Sequence, residues 1–577
     1  MCSWSDDDVM VSELAQNVRL EPDMASNPAA PFGIEFRHVE DLHGPTPLGT
    51  AQLLTQSRTG PSSPRSAFSG RAADVPQAAN PQSESPFAAL SARHGRPLKV
   101  AILSDFTRIP YANGAAFQTR FLYQELRRCG HQVTVIGPHD PDGSPDELAP
   151  GTIELPSIPL KTYPGVHIPM PLQAWVYDAS RWDFDIVFAQ TTSLLLEFGV
   201  WLRKMRGIPL LCVNTTHLAA AYDVLLPERV AKLGWVNAGV EFALKRPYEK
   251  LFASIYNNSD GLVVLSEGLR SYWRERGVTA PIHVIPRAVQ PEIFDKPLGE
   301  DPYTHLTGED LSVDGRDGRG AGHSAWRGAR LLCAGRHTRE KSQDRIIRIF
   351  ARHVAPVDRE ATLTMLGDGP DSELYKRVAK EEGVEHRVFF PGEVPFTKMP
   401  GYYAYADAFV HGSLSETYGN VLGEALWCGT PTVAFADGMG VSAQIKDRVN
   451  GVLLSPGNDA DGESEANAAF GRAILDLLSD PQERARLGMS ASKISRERNS
   501  PLAVQRRIAD AFRHAQEHAA TCGIRPAMDG PRVLQWMTTL KHFRTWSTVN
   551  GGVYIAGCLR PPAEKKRKSP LHPQIGR

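Results

Sequence analysis

Short apolar runs and helical patterns alternate along most of the chain, and the first of them sets the order for the rest. The run "LKVAILSDF" is rich in aliphatic and β-branched residues, which is typical of a buried parallel strand. After a glycine-bearing loop, apolar residues recur at helical spacing at Phe117, Phe121, Leu122 and Leu126, and Gly130 ends the predicted helix. The next run, "HQVTVIGP", predicts a second strand. Strand, loop, helix and strand predict a βαβ unit, the opening of a doubly wound domain.

The same alternation occurs in two series that a polar segment separates. The first series continues through runs such as "FDIVFAQ" and "GLVVLS" and leaves through "IHVIPRAV". Residues 298–327 are polar and glycine-rich, which predicts an irregular linker or inserted loop. The second series begins at "ARLLCAG" and closes with helical patterns over residues 465–480 and 501–520. We therefore predict an α/β protein of two doubly wound, Rossmann-like domains that face each other across a cleft at the carboxyl ends of their strands.

Composition completes the predicted division of the chain. The first 96 residues are rich in Pro, Ser, Gly, Ala and Gln without a sustained period, so they cannot bury enough apolar area to offset the entropy of ordering. The predicted parts are a disordered N-terminal extension at 1–96, a first Rossmann-like domain at 97–295, a polar linker or insertion at 296–328, a second Rossmann-like domain with its closing helices at 329–525, and a tail at 526–577.

Bulk composition argues against several classes of protein. The net charge is −1 and the pI is about 7.0, so no global field favours nucleic acid or anionic lipid. The seven cysteines lie far apart without a C-x-x-C pair, which argues against a zinc site or a disulfide framework. The N-terminus is acidic where a signal peptide is basic, and no apolar run is long enough to span a bilayer. We therefore expect a cytoplasmic protein.

Segments that mix basic and aromatic residues leave peripheral contact with the inner face of the membrane as an open alternative. In the first domain, "KTYPGVHIPMPLQAW" and "FGVWLRKMRG" combine aromatic residues with Arg203, Lys204 and Arg206. The tail adds "WMTTLKHFRTW" and "EKKRKSP". Such segments suit a membrane interface. The opposing interpretation is that the tryptophans are core residues and the tail is a solvated run of charges.

Two glutamates flank the start of a predicted helix in "LSETYGNVLGEALWCGTPTVAF". Glu416 precedes the helix, Asn420 is a candidate N-cap, Glu424 lies about one turn inside, and Gly429 ends the helix. Backbone N–H groups at 419–422 would then point into the cleft and form a seat for phosphate. Complementarity to the helix dipole is the simpler explanation for either glutamate alone. The pair, at this spacing and in this loop, favours a binding site.

A basic turn precedes the first helix of the second series, in "AGRHTREKSQDR". Arg336 follows a predicted strand, Lys341 comes directly before the helix, and Ser342 is a candidate cap. Cations there oppose the helix macrodipole by roughly 0.3–1 kcal/mol, so Arg336, Arg339 and Lys341 are unfavourable unless an anion collects beside them. Phosphate fits, because arginine binds it through two N–H groups and lysine as a point charge. A solvated basic loop is the alternative, and it applies best to Arg339.

Together these motifs resemble the second domain of a retaining glycosyltransferase of family four, one of the glycosyl transferases group 1 with the two-domain GT-B fold. The resemblance rests on "GRHTREK", "LGDGPDSEL", "VFFPGEV" and "ETYGNVLGEALWCGTPTVAF", and the pattern spans nearly all of residues 98–520. It implies that the second domain binds a nucleotide-sugar donor and the first an acceptor. Arg336 and Lys341 would bind the donor's diphosphate. Glu416 would hold sugar hydroxyls, and Glu424 the ribose hydroxyls of the nucleotide.

The resemblance implies further donor contacts from backbone groups. The amides that would face the distal phosphate belong to Asn420, Val421 and Leu422, and Gly419 before them is also expected to bind the donor. Gly392 would lie near the base. In the first domain, Gly114 would let the backbone approach the donor phosphate, and His217 would lie beside the transferred sugar. A plain turn glycine and a structural histidine are the alternatives for these two residues.

Two other segments carry no assignment of a ligand. The exit segment "VIPRAVQPEIF" departs from the family's R-G-V-D-x-x-x-F pattern at Ala288 and Gln290, so no role follows for Arg287. The "DFD" at 183–185 resembles the metal clamp of another glycosyltransferase class, but it leads into a predicted strand and is interpreted as a strand edge.

The resemblance implies transfer of a sugar from a nucleotide-diphosphate sugar, with UDP- or GDP-sugars as the expected donors, to a glycan, lipid or small-molecule hydroxyl. The expected catalytic residues are His217, Arg336, Lys341 and Glu416. Basic groups and helix amides would stabilise the leaving diphosphate without a metal or cofactor. With no obvious nucleophile in the sequence, we expect front-face transfer with retention. A nucleotide-sugar epimerase on the same fold and a non-catalytic protein that binds a nucleotide sugar or glycan remain alternatives, and the oligomeric state is open.

Overall fold

The computed structural model describes residues 85–107, 114–141, 148–159, 167–169, 174–191, 195–214, 246–307, 328–457 and 460–558. All of them belong to one compact unit, Gln77–Arg577. The sequence predictions for residues 1–84 and for His217 lie outside the described residues.

Seven parallel strands form the sheet of the first domain. The strands of this half of the chain are β1 Lys99–Ser104, β2 Gln132–Pro138, β3 Ile153–Leu155, β4 Ser157–Pro159, β5 His167–Pro169, β6 Ile186–Gln190, β7 Leu210–Val213, β8 Gly261–Val264 and β9 Ile282–Val284. The spatial order is β3-β2-β1-β6-β7-β8-β9, and β4 and β5 form a separate antiparallel pair. Strands such as β6 are buried along their whole length, which explains their continuous apolar sequence.

Six parallel strands form the sheet of the second domain. They are β10 Arg330–Ala334, β11 Thr362–Leu366, β12 Val388–Gly392, β13 Ala408–His411, β14 Thr432–Phe435 and β15 Val452–Leu454. Their spatial order is β12-β11-β10-β13-β14-β15. All neighbours in it pair in parallel. The two sheets confirm the predicted α/β class with two doubly wound domains.

Helices cover both sheets. Those of the first half are α1 Ala88–His94, α2 Gly114–Arg128, α3 Leu195–Arg206, α4 Arg246–Asn257, α5 Glu267–Glu275, α6 Pro291–Phe294 and α7 Thr304–Thr307. Those of the second half are α8 Gln343–Ile349, α9 Ser372–Glu381, α10 Met399–Tyr405, α11 Asn420–Cys428, α12 Gly440–Gln444, α13 Ala460–Ser479, α14 Pro481–Asn499, α15 Pro501–Thr521 and α16 Arg532–Cys558. Among these described helices, none combines the length and hydropathy needed to cross a bilayer.

The prediction of disorder up to residue 96 is wrong for its last twelve residues. Helix α1 covers one face of the first sheet, where Phe87 is fully buried and Leu90 nearly so. The Nδ1 atom of His131 accepts from the Leu98 amide at 3.0 Å, so its Nε2–H donates to the Phe87 carbonyl at 2.9 Å. Two apolar side chains and these hydrogen bonds are enough to order a segment whose composition is otherwise that of a linker.

The C-terminal helices pack on the first domain, although the sequence division assigns α15 to the second domain and calls 526–577 a tail. Helix α15 contacts β7 and β8, and its Val504, Ile508 and Phe512 are buried in the same core cluster as Phe87. Helix α16 contacts α3. The chain therefore returns to the first domain after completing the second.

For "FGVWLRKMRG", the structure agrees with the second of the two interpretations that the sequence left open, in which the tryptophan is a core residue. Trp201 is 1% exposed within the core, and Arg203 forms a paired hydrogen bond to the fully buried Asp260, with both N–O distances 2.7 Å. A guanidinium bound to a carboxylate inside the protein is part of the core.

Candidate functional site

The order of strands in the second sheet changes direction between β10 and β13. Strands β11 and β12 lie on one side of this pair, and β14 and β15 lie on the other. In open parallel sheets, ligands bind outside the carboxyl ends of the strands at such a switch point. The loops that leave here are residues 335–342, after β10, and residues 412–419, after β13. They carry the predicted basic turn and Glu416.

Lys341 and Glu416 form an ion pair between these two loops. The Lys341 Nζ donates to Glu416 Oε1 at 2.6 Å, and the Nε2 of His411, the last residue of β13, lies 3.4 Å from the same oxygen. Burial alone would raise the pKa of Glu416, but Lys341 and His411 outweigh it and hold that pKa well below its usual value. Glu416 is therefore a buried carboxylate that keeps its charge, and Lys341 is fixed beside the switch point.

A second layer of contacts fixes the loop that carries Glu416. Its amide donates to Asp437 Oδ2 at 3.2 Å, and its carbonyl accepts from the Gly440 amide at 2.8 Å. Gln444 Nε2 donates to the carbonyls of Tyr418 and Gly419. A Cβ atom at Gly440 would lie 2.6 Å from the Glu416 carbonyl oxygen, so only glycine permits this approach.

The predicted N-cap of α11 is wrong by one residue. Asn420 is the first helical residue, and Gly419 occupies the cap position with φ of 80°. A glycine there supplies no side-chain oxygen, and no side chain caps the helix. The first-turn amides at Asn420 and Val421 therefore remain available to an acceptor outside the helix, whereas those of Leu422 and Gly423 donate to the Gly419 carbonyl.

The basic turn has the predicted place but a different cap. Residues Arg339–Lys341 form a short 3₁₀ turn before α8. Arg339 in this turn and Arg336, two residues after β10, are both exposed. Ser342 sits at the cap position of α8, but its side chain makes no capping hydrogen bond and its backbone is left-handed, with φ of 49°. That conformation is unfavourable for serine, and it occurs beside Lys341 at the switch point.

Glu424 lies inside α11 and faces the protein. Its Oε2 accepts from the Tyr403 hydroxyl of α10 at 2.9 Å. Burial raises the pKa of Glu424 to about 7, although the hydrogen bond from Tyr403 opposes the rise. The two glutamates of the motif therefore differ in charge state near neutral pH, since Glu416 is ionised and the raised pKa of Glu424 favours its protonated form there more than an ordinary carboxyl's.

The remaining predicted residues are spread over both domains. Gly392 ends β12 with φ of 80°, and its carbonyl accepts from the Gly367 amide at 3.0 Å. Gly114 begins α2, the helix that follows β1, and β1 and β6 are the pair at which the strand order of the first sheet changes direction. His217, which the sequence analysis counts among the catalytic residues, lies outside the described residues.

Two groups that sequence reasoning did not select lie beside Glu416. One is His411. The other is Arg287 of the exit segment, whose carbonyl accepts from Asn499 Nδ2 at 3.1 Å. Burial lowers the pKa of Arg287 to about 10, and the nearby Tyr418 and Glu416 oppose that decrease. The only signal for Arg287 is its place in a segment similar to the family's exit motif, and the changes at Ala288 and Gln290 obscured it.

The "DFD" segment lies at the edge of strand β6, as the sequence analysis predicts. Asp185 immediately precedes β6 and accepts from the Lys99 amide at 2.7 Å and from both terminal nitrogens of Arg96, at 2.8 and 2.6 Å. Asp183 accepts from Lys99 Nζ at 2.6 Å. Both carboxylates therefore form ion pairs with cations that lie in β1 or just before it.

Comparison with known sequences finds two family models on this chain. Residues 112–293 match "Glycosyltransferase Family 4", and residues 327–494 match "Glycosyl transferases group 1". Alpha-monoglucosyldiacylglycerol synthase of Streptococcus pneumoniae is 25% identical over 63% of this chain and 77% of its own length. GDP-mannose-dependent alpha-(1-6)-phosphatidylinositol monomannoside mannosyltransferase of Mycolicibacterium smegmatis is 27% identical over 56% of this chain and 83% of its own.

Comparison with solved structures shows the fold. Sucrose-phosphate synthase from Thermosynechococcus elongatus superposes with a TM-score of 0.55 at 20% identity, covering 74% of this chain and 100% of that one. HepE from Anabaena, in complex with UDP and glucose, superposes with a TM-score of 0.52 at 18% identity, covering 72% and 99%. These matches, with the two parallel sheets, confirm the predicted GT-B architecture.

Proposed function

The chain belongs to the group 1 glycosyltransferases with the GT-B fold, and on that premise we propose that it transfers a hexose from a nucleoside-diphosphate sugar to an acceptor hydroxyl, with retention of configuration and without a metal ion. The observation that carries the proposal is the ion pair of Lys341 with Glu416 at the switch point of the second sheet, directly before a helix that no side chain caps.

The leaving group of such a transfer is a nucleoside diphosphate, on which negative charge develops as the glycosidic bond breaks. Lys341 supplies a fixed positive charge, Arg336 a guanidinium in the same loop after β10, and the first amides of α11 supply donors that no side chain caps. Groups oriented before the reaction stabilise this charge without reorganising. This is the chemistry that a divalent cation supplies in other enzymes, so these residues make one unnecessary in the proposed mechanism.

Glu416 has two parts in this proposal. It fixes the Lys341 ammonium, and it remains ionised, so its second carboxylate oxygen can accept hydrogen bonds from hydroxyls of the transferred sugar. A carboxylate with this strong preference for its ionised form is a poor general base for an alcohol. We therefore assign the acceptor's proton to an oxygen of the leaving phosphate, which fits front-face transfer with retention. His217 is proposed beside the transferred sugar.

The donor and acceptor are proposed as classes. Two similar proteins of Mycolicibacterium smegmatis are named as GDP-mannose-dependent, which supports a GDP-sugar as one of the donors to test beside UDP-sugars. The names of the Streptococcus synthase and of the sulfoquinovosyl transferase of Arabidopsis thaliana support a glycolipid or glycan hydroxyl as acceptor.

The experiment is a donor screen that also separates the two alternatives. The purified protein is incubated with UDP-, GDP- and ADP-sugars, with and without lipid and glycan acceptors. Nucleotides and glycosides are identified by mass spectrometry, and the configuration of the sugars is determined by NMR. Release of nucleoside diphosphate together with an α-configured product supports the proposal. An epimerised donor without transfer would indicate the epimerase, and an unchanged but bound donor would indicate a binding protein.

Metal independence is tested in the same assay. Because cationic side chains and helix amides replace the cation in the proposed mechanism, treatment with EDTA followed by desalting should leave most of the transferase activity. A known metal-dependent glycosyltransferase, treated in parallel, controls for complete chelation. Activity that disappears with EDTA and returns specifically with Mn²⁺ or Mg²⁺ would contradict this part of the proposal.

A further inference from the structure

The solvent-facing side of α16 is apolar. In the described part of the chain, six of the thirteen exposed large hydrophobic side chains lie on its first three turns: Val533, Leu534, Trp536, Met537, Leu540 and Phe543. Trp536 is 64% exposed and Met537 58%. Single exposed apolar residues are ordinary, but a contiguous group on one helix marks an interaction surface. We call these six residues the outer face of α16.

The side of α16 that faces the protein is polar, which reverses the usual arrangement of a surface helix. Gln535 Nε2 donates to the carbonyls of Met528 and Gly530, both at 3.2 Å. Thr539 Oγ1 accepts from Trp201 Nε1 at 3.1 Å, and His542 is 4% exposed beside Glu197. Folding thus attaches α16 largely through polar contacts, to which Phe543 adds an edge contact with the Tyr177 ring, their centroids 6.1 Å apart. Among the described residues, the other five side chains of the outer face are between 47% and 67% exposed.

The charge around the outer face is positive. Lys541 and Arg544 are exposed at its border, and the sequence contains no carboxylate between Asp529 and Glu564. The pKa of Lys204 on α3 is lowered chiefly by its burial. The neighbouring cation Lys541 lowers this pKa further, and Glu197 opposes the decrease. The sequence then continues with four consecutive cations at 565–568.

We propose that α16 lies flat on a bilayer that contains anionic lipids, with the outer face in the boundary between headgroups and acyl chains and Lys541 and Arg544 among the headgroups. An amphipathic helix bordered by cations binds such an interface through its apolar area and its charge together. A second copy of this chain is the weaker occupant, because a twofold contact through this face would bring the same cations together. The proposal concerns a surface outside the donor site and does not rest on the proposed activity.

The experiment is flotation of the full chain with vesicles in the absence of any donor. Vesicles of phosphatidylcholine with one-third phosphatidylglycerol should carry the protein at low salt and release it at high salt, and pure phosphatidylcholine vesicles should bind at least ~10-fold less. The double variant Trp536→Ser/Leu540→Ser should bind the anionic vesicles at least ~10-fold more weakly than the wild type.

Matched variants distinguish vesicle binding through the outer face of α16 from nonspecific adsorption. Val357→Ser/Met489→Ser removes two apolar side chains elsewhere that are at least as exposed as Trp536 and Leu540, and it should bind like the wild type. Lys541→Gln/Arg544→Gln should lose the salt-sensitive part of binding, whereas Lys376→Gln/Arg377→Gln on α9 should not. Circular dichroism and the thermal midpoint check that each variant is folded. Because Trp536 is exposed, its emission should shift to the blue with anionic vesicles, and the shift should be absent in Trp536→Phe.

Three results would overturn the proposal. One is failure of the wild type to float with anionic vesicles at low salt. Another is a folded Trp536→Ser/Leu540→Ser variant that floats like the wild type. The third is a wild-type mass of two chains in solution that falls to one in that variant without vesicle binding, which would assign the outer face to a second copy.

Discussion

Lys341 contributes a positive charge whose position depends on Glu416. In the proposed mechanism this charge meets the leaving diphosphate, so Lys341→Ala removes one oriented donor from the transition state. Such a loss typically lowers the rate by ~10²–10³, and we expect kcat/KM to fall at least ~100-fold. Lys376→Ala, which removes an exposed lysine paired with Glu373 on α9, is the control and should leave kcat/KM unchanged. Near-wild-type activity of a folded Lys341→Ala protein would refute the phosphate role.

Protonation of the Glu424 carboxyl on α11 changes the free energy of unfolding. Its pKa is raised from the ordinary 4.5 to about 7, so the neutral form contributes stability that is fully present below 4.5 and is lost as the pH rises through 7. Glu424→Gln stays neutral and can still accept from Tyr403. The variant should therefore gain stability over the wild type as the pH rises, by up to roughly 3 kcal/mol above neutrality.

The measurement for Glu424 is the thermal midpoint of both proteins at about pH 5 and about pH 8. The difference between them should be small at the lower pH and favour the glutamine variant at the higher. If the two midpoints keep a constant separation across this range, Glu424 does not titrate there, and the folded state does not raise its pKa.

At the scale of single elements, α1 shows how little sequence is needed to order a segment. Phe87 is fully buried against the sheet, beside the helix α15 that arrives from the far end of the chain. Phe87→Ala should lower the free energy of unfolding by about 3–5 kcal/mol, the usual cost for a buried phenylalanine. A chain that lacks residues 1–95 should lose stability at least as strongly.

The control for α1 is a shorter deletion. Removal of residues 1–84 retains Ser85, whose Oγ donates to Gln505 Oε1 at 3.2 Å, together with the buried Phe87. Its urea midpoint should equal that of the full chain, while the 1–95 deletion should unfold at a lower concentration. Equal midpoints for the two deletions would mean that α1 contributes nothing.

In the whole molecule, the two domains touch beside the loop that carries Glu416. Gly268, in the first turn of α5, lies so close to the second domain that a Cβ atom there would be 2.1 Å from the Gly438 carbonyl oxygen. Gly438 is in the segment that holds the Glu416 backbone through Asp437 and Gly440. The first domain therefore contacts the segment that supports Glu416, a residue of the proposed donor site.

Gly268→Ala should break this contact and displace residues of the proposed donor site from a distance. A displacement of about 1 Å can lower activity by up to ~100-fold, so we expect a large loss in kcat/KM while far-UV circular dichroism stays unchanged. Gly299→Ala, at a glycine with open space around it, is the matched control. Full activity of Gly268→Ala would show that the contact opens without consequence for the donor site.

Much of the fold could be predicted because its signals are local. Continuous apolar runs, helical spacing and closing glycines define strands and helices within a few residues of sequence, and two such series give two doubly wound domains. The basic turn and the two glutamates were found in the same way, since each sits where a strand ends and a helix begins. These patterns repeat within short windows, and short-range sterics and periodicity produce them.

Only the tertiary structure decided which distant residues meet. Lys341 and Glu416 are 75 positions apart, and their ion pair exists because β10 and β13 are neighbours in the sheet. The different charge states of Glu416 and Glu424 follow from their surroundings, because Lys341 and His411 hold the pKa of Glu416 low whereas burial raises the pKa of Glu424. Burial and partner choice also placed α1 and α15 in one core and turned the apolar side of α16 outward. A pKa shift, an ion pair and an exposed face depend on which residues are close in space. Local sequence patterns specify only which residues are close along the chain.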